Sequence, residues 1–265
     1  STTSPTIVFL GDSVPFGWGV DWDKSLPSQF FALLQKSPYG KYGVINAAVP
    51  SYSLHQSVAR YEREIHRKKF RVALVILQIY DPANQLAAYG KQWTVDVNAT
   101  TNPKNNALYS LARNPLYRFS SLLHTALLFS RTFTVHNGQL DIRDTQTHAF
   151  FRTEVEKDLS ALLDLVQKDG ASLVLLPVNP AASYKRQLEG GSTDPNIHAV
   201  DWLNIILRDF VQAHKGTYFF DVADFFDQKG REGNFIDACC HLSEQGNAAQ
   251  ASFLLEQLTQ RRLLK

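Results

Sequence analysis

The sequence predicts an α/β protein in which a parallel β-sheet is covered by helices on both faces. Two observations predict this class. Five short stretches are continuously apolar, and amphipathic helical patterns lie between them. Strands that are buried on both faces are apolar throughout, whereas strands with one solvated face alternate apolar and polar residues. The alternation of such strands with helices is typical of parallel sheets.

The predicted elements follow one another along most of the chain. The first apolar stretch ends at Gly11-Asp12-Ser13 and the second at Pro50-Ser51, which are turn sequences. The predicted strands are residues 6–10, 43–49, 72–79, 172–178 and 217–222. The predicted helices are residues 27–36, 54–68, 147–168, 197–214 and 244–264. No internal repeat or linker is visible, so we expect a single domain over residues 1–265.

One region, from about Gly90 to Asp144, departs from this alternation. Its first part is polar, residues 116–129 have a helical pattern, and short alternating stretches flank Asn137-Gly138, a dipeptide typical of tight hairpins. We interpret residues 90–145 as an insertion of a helix and a β-hairpin. Ligands of open parallel sheets bind beyond the carboxyl ends of the strands. The insertion therefore either roofs a site at that edge or is a solvated excursion without a role.

The composition excludes several classes of partner. The chain has 265 residues, with 27 Lys and Arg against 25 Asp and Glu and a net charge of +2. Nucleic-acid binding needs a stronger basic footprint, so no nucleic-acid partner is expected. The longest apolar stretches are far shorter than the roughly 20 residues that cross a bilayer, so stable membrane insertion is not expected. The histidines lack ligand-like spacing, which predicts no metal site.

The two cysteines of the chain, Cys239 and Cys240, are adjacent. They form a vicinal disulfide or remain thiols, because neighbouring residues cannot close an ordinary disulfide loop. The chain opens with Ser-Thr-Thr-Ser-Pro and contains no methionine. That opening is typical of a chain that has lost a signal or anchor segment, and a truncated expression product has the same appearance. The expected location is the periplasm or the extracellular space.

Candidate catalytic residues stand near the two ends of the chain. Ser13 follows the first strand, so its hydroxyl can meet a ligand while its N–H helps to stabilise an oxyanion. The alternative for Ser13 is that Gly-Asp-Ser only forms a turn, because it is also a common turn sequence. Near the other end, His241 stands just before a helix and Asp237 lies four residues upstream, so one loop supplies a base and its orienting carboxylate. The alternative for Asp237 is that it only caps a turn.

Four stretches of the chain resemble the sequence blocks of the SGNH, or GDSL, hydrolase family. FLGDSVPFGWGV, residues 9–20, is similar to the first block, with an aromatic-Gly-Trp-Gly-Val ending seen in a bacterial esterase and lipase subgroup. VINAAVPSYSLHQ, residues 44–56, resembles the second block, and VILQIYDPANQ, residues 75–85, falls where the third is expected. DACCHLSEQGN, residues 237–247, resembles the last block.

The resemblance implies a fold and three roles. The fold is a flavodoxin-like three-layer sandwich of about five parallel strands, with Ser13 as nucleophile, His241 as general base and an upstream Asp that orients the imidazole. The family usually has that Asp three residues before the histidine, where this chain has Ala238, so we assign the role to Asp237. We expect Asp12 to be structural, buried under the turn and accepting backbone N–H groups.

The resemblance also implies an oxyanion hole made by the Ser13 N–H, a glycine N–H from the second block and an asparagine side chain from the third. The second block has alanines in place of glycine, and Ala48 keeps the backbone donor with a narrower range of φ and ψ. Tyr80 replaces the family's asparagine, or Pro82 does so in a longer-loop subgroup, and Asn84 lies two residues beyond. We therefore predict Ala48 and Asn84 as donors.

By this resemblance the chain is expected to be a serine esterase that forms an acyl-enzyme and needs no metal or organic cofactor. The expected substrates are short-chain esters or small O-acyl groups on a cell-envelope or extracellular glycan. One alternative is an O-acyltransferase with the same residues, and another is a degenerate glycan-binding protein with little turnover. Six aromatic residues near the predicted strand ends either line the site or pack in the core: Trp18, Trp22, Tyr52, Tyr80, Tyr89 and Trp93.

Overall fold

The structure is a computed structural model that describes residues 4–79 and 145–265. Its residues group into two compact units, one formed by Ser1–Gln85 with Arg152–Lys265 and the other by Leu86–Phe151. The helix and hairpin predicted within residues 90–145 lie outside the described residues, and so does Asn84. The single-domain organisation and the inserted elements therefore stay predictions. The described part of the first unit carries the sheet and the candidate site.

Five parallel strands form one sheet in the order β2-β1-β3-β4-β5. They are β1 (Thr6–Gly11), β2 (Gly43–Asn46), β3 (Val72–Gln78), β4 (Ser172–Leu176) and β5 (Thr217–Phe219). The parallel α/β class is therefore confirmed. In this strand order the direction of winding reverses between β1 and β3, and the crevice beyond the carboxyl ends of these two strands is where such sheets bind ligands.

Eight α-helices are described in residues 4–79 and 145–265. They are α1 (Ser13–Phe16), α2 (Leu26–Gln35), α3 (Leu54–Arg60), α4 (Thr145–Lys168), α5 (Tyr184–Glu189), α6 (Pro195–Ala213), α7 (Val222–Lys229) and α8 (Glu244–Gln260). A 3-10 turn covers Trp22–Lys24, and Tyr61–His66 is π-helical. Among the described helices, none combines the length and the apolar character that a membrane span requires.

Both faces of the sheet are buried. On one face, side chains of β1, β3 and β4 form a core cluster with residues of α2, α7 and α8, among them Phe9, Ile76, Phe30, Phe226 and Leu254. The side chains that point to the opposite face are just as inaccessible to solvent, including Val8, Leu10, Val75, Leu77 and Leu175. In a strand that is buried on both faces, side chains on neither face reach water. This explains the continuous apolar stretches of the sequence.

Several predicted boundaries differ from the structure by a few residues, and two of them lie where the local backbone changes. The helix predicted over residues 54–68 is α-helical only to Arg60, after which the chain continues as the π-helical segment. The strand predicted over residues 217–222 stops at Phe219, because the Asp221 side chain accepts the N–H of Asp224 and starts α7.

The predicted second strand, residues 43–49, ends as a regular strand at Asn46. The backbone nevertheless continues beside β1, since the N–H groups of Ala47 and Val49 donate to carbonyl groups of β1 at 2.8 and 3.0 Å. The loop that contains Ala48 is therefore held against the strand that leads to Ser13.

Candidate active site

A tight turn after β1 places Ser13 at the carboxyl edge of the sheet. Gly11 has a φ of +138°, and a Cβ at this position would lie 1.7 Å from the carbonyl oxygen of Gln78 on β3, so only glycine fits. The buried Asp12 accepts the N–H of Val14 at 3.1 Å and caps α1, which confirms its structural role. Ser13 is the first residue of α1, where N–H groups have no partner within the helix.

The chain after α1 folds back against the segment that contains His241. Gly19 has a φ of +85°, and a Cβ on it would lie 2.2 Å from Cδ1 of Ile236, so these two segments are in direct contact. Trp18 is exposed, and its ring centroid lies 6.5 Å from that of His241. An exposed indole therefore borders the candidate base. For Trp18 this agrees with the interpretation in which the aromatic residues line the site.

His241 lies in a loop, residues 236–241, that we call the histidine loop. The loop is closed at its base, because the N–H of Ile236 donates to the carbonyl of His241 at 2.9 Å and the N–H of Ser243 donates to that of Asn234 at 3.0 Å. Ser243 then starts α8 by accepting the N–H of Gly246. Two features thus fix the position of His241: the backbone hydrogen bonds that close the loop and the capped helix α8 that follows it.

The two ring nitrogens of His241 connect Ser13 to Asp237. Nε2 lies 2.8 Å from Oγ of Ser13, and Nδ1 is hydrogen-bonded to Oδ2 of Asp237. Because a carboxylate only accepts, the proton of a neutral imidazole resides on Nδ1, and Nε2 is left to accept the proton of the Ser13 hydroxyl. This is the geometry of a nucleophile beside an oriented base.

The second carboxylate oxygen of Asp237 organises the histidine loop. Oδ1 accepts the N–H groups of Cys239, Cys240 and His241 at 3.0, 2.9 and 3.2 Å. Partial burial opposes the charged form, but the hydrogen bonds from the His241 imidazole and from the N–H groups of Cys240 and His241 outweigh it and hold the pKa of Asp237 below its ordinary value. Oδ2 therefore contacts the imidazole while Oδ1 caps the turn, and the catalytic role of Asp237 stays a prediction.

The sequence analysis raised turn capping by Asp237 but did not identify the N–H groups that the carboxylate accepts. A signal for them exists, because an aspartate whose following residues fold back in a turn commonly accepts N–H groups two or more residues ahead. That geometry also explains how a histidine four residues away reaches the carboxylate, since the turn brings the chain back over Asp237.

Cys239 and Cys240 form a vicinal disulfide within the histidine loop, which is one of the two states that the sequence allows. Cys240 is buried and Cys239 is exposed. The carbonyl of Cys239 accepts the N–H of Ala181, in the segment after β4, at 2.7 Å. The loop is therefore held by the segment that follows β4 as well as by α8.

Potential metal ligands coincide with the residues already described. In the parts of the chain that the structure describes, Asp237, Cys240 and His241 are the one group whose candidate ligand atoms all lie within 4.8 Å of one another. The Cys240 sulfur is bonded to Cys239 and offers no thiolate, and both ring nitrogens of His241 have protein partners. This set does not fit a zinc ion, which binds deprotonated sulfur and unshared nitrogen.

The predicted oxyanion donors are placed only in part. Ala48 is buried next to β1, and its N–H donates to Oδ1 of Asn46 at 3.2 Å. The Asn46 amide donates in turn to the carbonyl of Phe16 in α1 at 3.1 Å, so this residue, which the sequence analysis did not single out, ties the second block to the helix of the nucleophile. Asn84 lies outside the described residues. The roles of Ala48 and Asn84 as donors stay predictions.

The fold and the site together define an α/β protein with a Ser-His-Asp arrangement at the switch point of a parallel sheet. No protein-family model matches the sequence, and no curated protein matches it. Solved structures, in contrast, match along nearly the whole chain.

Three of these structures illustrate the likeness. A lipase/acylhydrolase from Enterococcus faecalis has a TM-score of 0.57 and 13% identity over 97% of this chain and 96% of its own. A catalytic mutant of Axe2, an acetylxylan esterase from Geobacillus stearothermophilus, has a TM-score of 0.59 and 12% identity over 96% of this chain and 94% of its own. A member of the lipolytic protein G-D-S-L family from Veillonella parvula has a TM-score of 0.53 and 14% identity over 97% and 99%. At such identities the likeness shows the fold, and at that level the resemblance to SGNH hydrolases is confirmed.

Proposed function

We propose that this protein is a serine esterase that hydrolyses carboxylic esters through an acyl-enzyme. The observation that carries the proposal is the continuous hydrogen-bonded series from Ser13 through His241 to Asp237 at the carboxyl edge of the sheet. A protein that only binds glycans has no need for a hydroxyl, an imidazole and a charged carboxylate in this order. The Asp237 carboxyl, whose pKa lies below its ordinary value, is charged at neutral pH and can therefore stabilise an imidazolium.

Both halves of the proposed reaction use the same three residues. Oγ of Ser13 attacks the ester carbonyl carbon while Nε2 of His241 takes the hydroxyl proton, and Asp237 stabilises the imidazolium that forms. Collapse of the tetrahedral intermediate transfers this proton to the leaving alcohol and leaves the acyl group on Ser13. A water molecule then attacks the acyl carbon, gives its proton to Nε2, and the carboxylic acid leaves as the Ser13 hydroxyl is restored.

The charge that develops on the ester oxygen needs hydrogen-bond donors. The Ser13 N–H is one donor, because its position at the start of α1 leaves it without an intrahelical partner. We propose Ala48 N–H as the second, which exchanges its bond to Asn46 for one to the oxyanion, and the Asn84 side chain as the third. The hydrogen bond from Asn46 to α1 keeps the Ala48 loop close to the nucleophile.

We propose small O-acyl groups on glycans, together with short-chain esters, as the substrates, in a compartment outside the cytoplasm. The exposed Trp18 indole beside His241 supports this, because a flat aromatic face suits a sugar ring or a short acyl group. A disulfide such as that of the histidine loop is typical of proteins in oxidising compartments. The Trp18→Ala variant should raise KM for acetylated xylan more than for p-nitrophenyl acetate.

Hydrolysis of p-nitrophenyl acetate by matched serine variants tests the proposed function. We expect Ser13→Ala to reduce turnover to the background rate, whereas Ser252→Ala, on the exposed side of α8, leaves it unchanged. Turnover that survives Ser13→Ala would refute the proposal. Transfer of the acyl group to an added sugar in preference to water would identify an O-acyltransferase, and glycan binding by a parent protein without turnover would favour the binding protein.

A further inference from the structure

We propose that the Cys239–Cys240 disulfide is a positioning element of the active site, so that catalysis depends on the oxidation state of these two residues. The proposal rests on the proposed function, because it concerns the same carboxylate and imidazole. Its starting observation is that the N–H groups of both cysteines donate to Oδ1 of Asp237, whose Oδ2 holds Nδ1 of His241. The disulfide therefore lies in the segment that orients the acid of the triad.

A vicinal disulfide restrains the backbone that carries these donors. Three residues separate Asp237 from His241, and the disulfide links two of them into a ring that contains their shared peptide bond. The ring limits ψ of Cys239 and φ of Cys240, the two torsions beside their shared peptide bond, so the N–H of Cys240 stays directed at the carboxylate oxygen. Successive N–H groups that converge on one anion form a small binding concavity. Opening the ring returns conformational freedom that must be lost again whenever the concavity forms.

The two cysteines are in contact with the segment after β4 and with Asp237. The carbonyl of Cys239 is held by the N–H of Ala181, and Cys240 is only 2% exposed. The N–H of His241 donates to the same oxygen of Asp237 as those of the two cysteines. Any change in the conformation of this dipeptide is therefore passed to the carboxylate and, through Oδ2, to the imidazole.

A dithiol reductant can open the ring, because Cys239 is exposed. One thiolate of the reductant attacks Sγ of Cys239, the bond between the two cysteine sulfurs breaks, and Cys240 leaves as a thiolate that takes a proton. The second thiol of the reductant then attacks the mixed disulfide and releases Cys239, which takes the other proton. Two electrons and two protons pass to the cysteine pair, and the reductant becomes a cyclic disulfide.

The expected effect of reduction is on kcat. Restoring freedom to about one backbone residue corresponds to a loss of roughly tenfold in the population of the catalytic conformation. Asp237 acts mainly by stabilising the imidazolium that forms during the reaction, so kcat should fall about tenfold while KM changes less than about twofold. Reoxidation should restore the original kcat.

The experiment compares the oxidised protein, the protein reduced with dithiothreitol and freed of it by gel filtration, and the reoxidised protein. Thiol titration follows the reduction without ambiguity, since the chain contains only these two cysteines. The number of free thiols should rise from zero to two per chain. Activity toward p-nitrophenyl acetate is measured well below the unfolding midpoint, which is determined for each state. A doubly substituted Cys239→Ser, Cys240→Ser protein should match the reduced parent and ignore the reductant.

The Asp237→Ala background separates positioning from a general structural role. If the disulfide acts through the carboxylate, reduction should leave the residual kcat of Asp237→Ala unchanged within about twofold, because interactions that pass through one residue are not additive. An equal loss in both backgrounds would overturn the proposal. So would full release of two thiols without loss of kcat in the parent, or two free thiols in protein purified without reductant.

The Ser13→Ala variant, assayed in parallel, keeps this result distinct from the proposed function. Equal activity of the oxidised parent and Ser13→Ala would refute the esterase assignment itself. An oxidised parent that is active through Ser13 but indifferent to reduction would refute only the role of the disulfide.

Discussion

The substitution Asp237→Asn separates the two tasks of this carboxylate. Oδ1 accepts three N–H groups of the histidine loop, and Oδ2 binds Nδ1 of His241. An asparagine at this position has one acceptor oxygen and one NH₂ group. The three N–H donors outnumber the single imidazole contact, so we expect the amide oxygen to face them and the NH₂ group to face Nδ1.

The expected loss of activity follows from that orientation. An NH₂ group beside Nδ1 makes this nitrogen an acceptor, which moves the imidazole proton to Nε2 and leaves nothing to accept the proton of Ser13. In buried serine-protease triads the same change lowers kcat by about 10⁴. The Asp237 side chain is 38% exposed, so water replaces part of its effect, and we expect a loss of about 10³, or roughly 4 kcal/mol in the activation barrier.

The assay measures kcat for p-nitrophenyl acetate and the thermal unfolding midpoint together. Asp237→Asn should lose activity with little change in the midpoint, whereas Asp237→Ala should lose both, since it also removes the acceptor for the loop. Asp23→Asn, which changes an exposed carboxylate paired with Lys24, serves as the matched control and should keep parental activity. Parental activity in Asp237→Asn would contradict the assignment of the carboxylate.

Three further predictions concern other residues of the chain. Ser13→Ala and His241→Ala should each reduce hydrolysis to background, while Asp237→Ala should keep a measurable remnant, and rates within tenfold of one another in all three would contradict these roles. Asn84→Ala should lower kcat about 10²-fold with little change in KM, and a change confined to KM would exclude Asn84 from the oxyanion hole. Arg231→Ala should lower the free energy of unfolding by about 3 kcal/mol and the unfolding midpoint by roughly 6–12 °C, because it leaves a largely buried carboxylate in α7 without its 2.7 Å ion pair.

The ion pair of Arg231 with Asp227 also gives a pH dependence of stability. Burial opposes the charge of Asp227, but hydrogen bonds from Arg231 and Ser183 outweigh it and hold the pKa of this carboxyl below its ordinary value. A lowered pKa in the folded state contributes stability that is fully present above the ordinary carboxyl pKa and is lost as the pH falls below it. The stability difference between the parent and Asp227→Asn, measured by denaturant unfolding, should therefore shrink on acidification, and a constant difference would contradict the pair.

The parts of the fold that the sequence predicts are those governed by burial. The strands β1, β3 and β4 are buried on both faces, so each shows an uninterrupted apolar stretch that ends at the sheet edge. The boundaries that the sequence does not predict depend on single hydrogen bonds. Asp221, for example, ends β5 because its side chain caps α7. The sequence alone does not show that this aspartate forms a cap.

The candidate site likewise has features that the sequence predicts and features that it does not. Ser13 and His241 stand out because each follows or precedes a regular element at the sheet edge, and the structure brings them to 2.8 Å. The turn at Asp237 has a local sequence signal, but the number of N–H groups that this carboxylate accepts and the link from Cys239 to Ala181 depend on the path of an irregular loop. The role of Asn46 depends in the same way on a contact between two separate loops.

Covalent labelling with a fluorophosphonate probe distinguishes an activated Ser13 from an ordinary serine, because the probe reacts with a serine that a neighbouring base activates. We expect one adduct per chain, located by peptide mass spectrometry on Ser13, absent in Ser13→Ala and formed much more slowly in His241→Ala. An adduct on another residue, or labelling at an equal rate in the parent and in His241→Ala, would contradict a nucleophile activated by the Ser13–His241–Asp237 series.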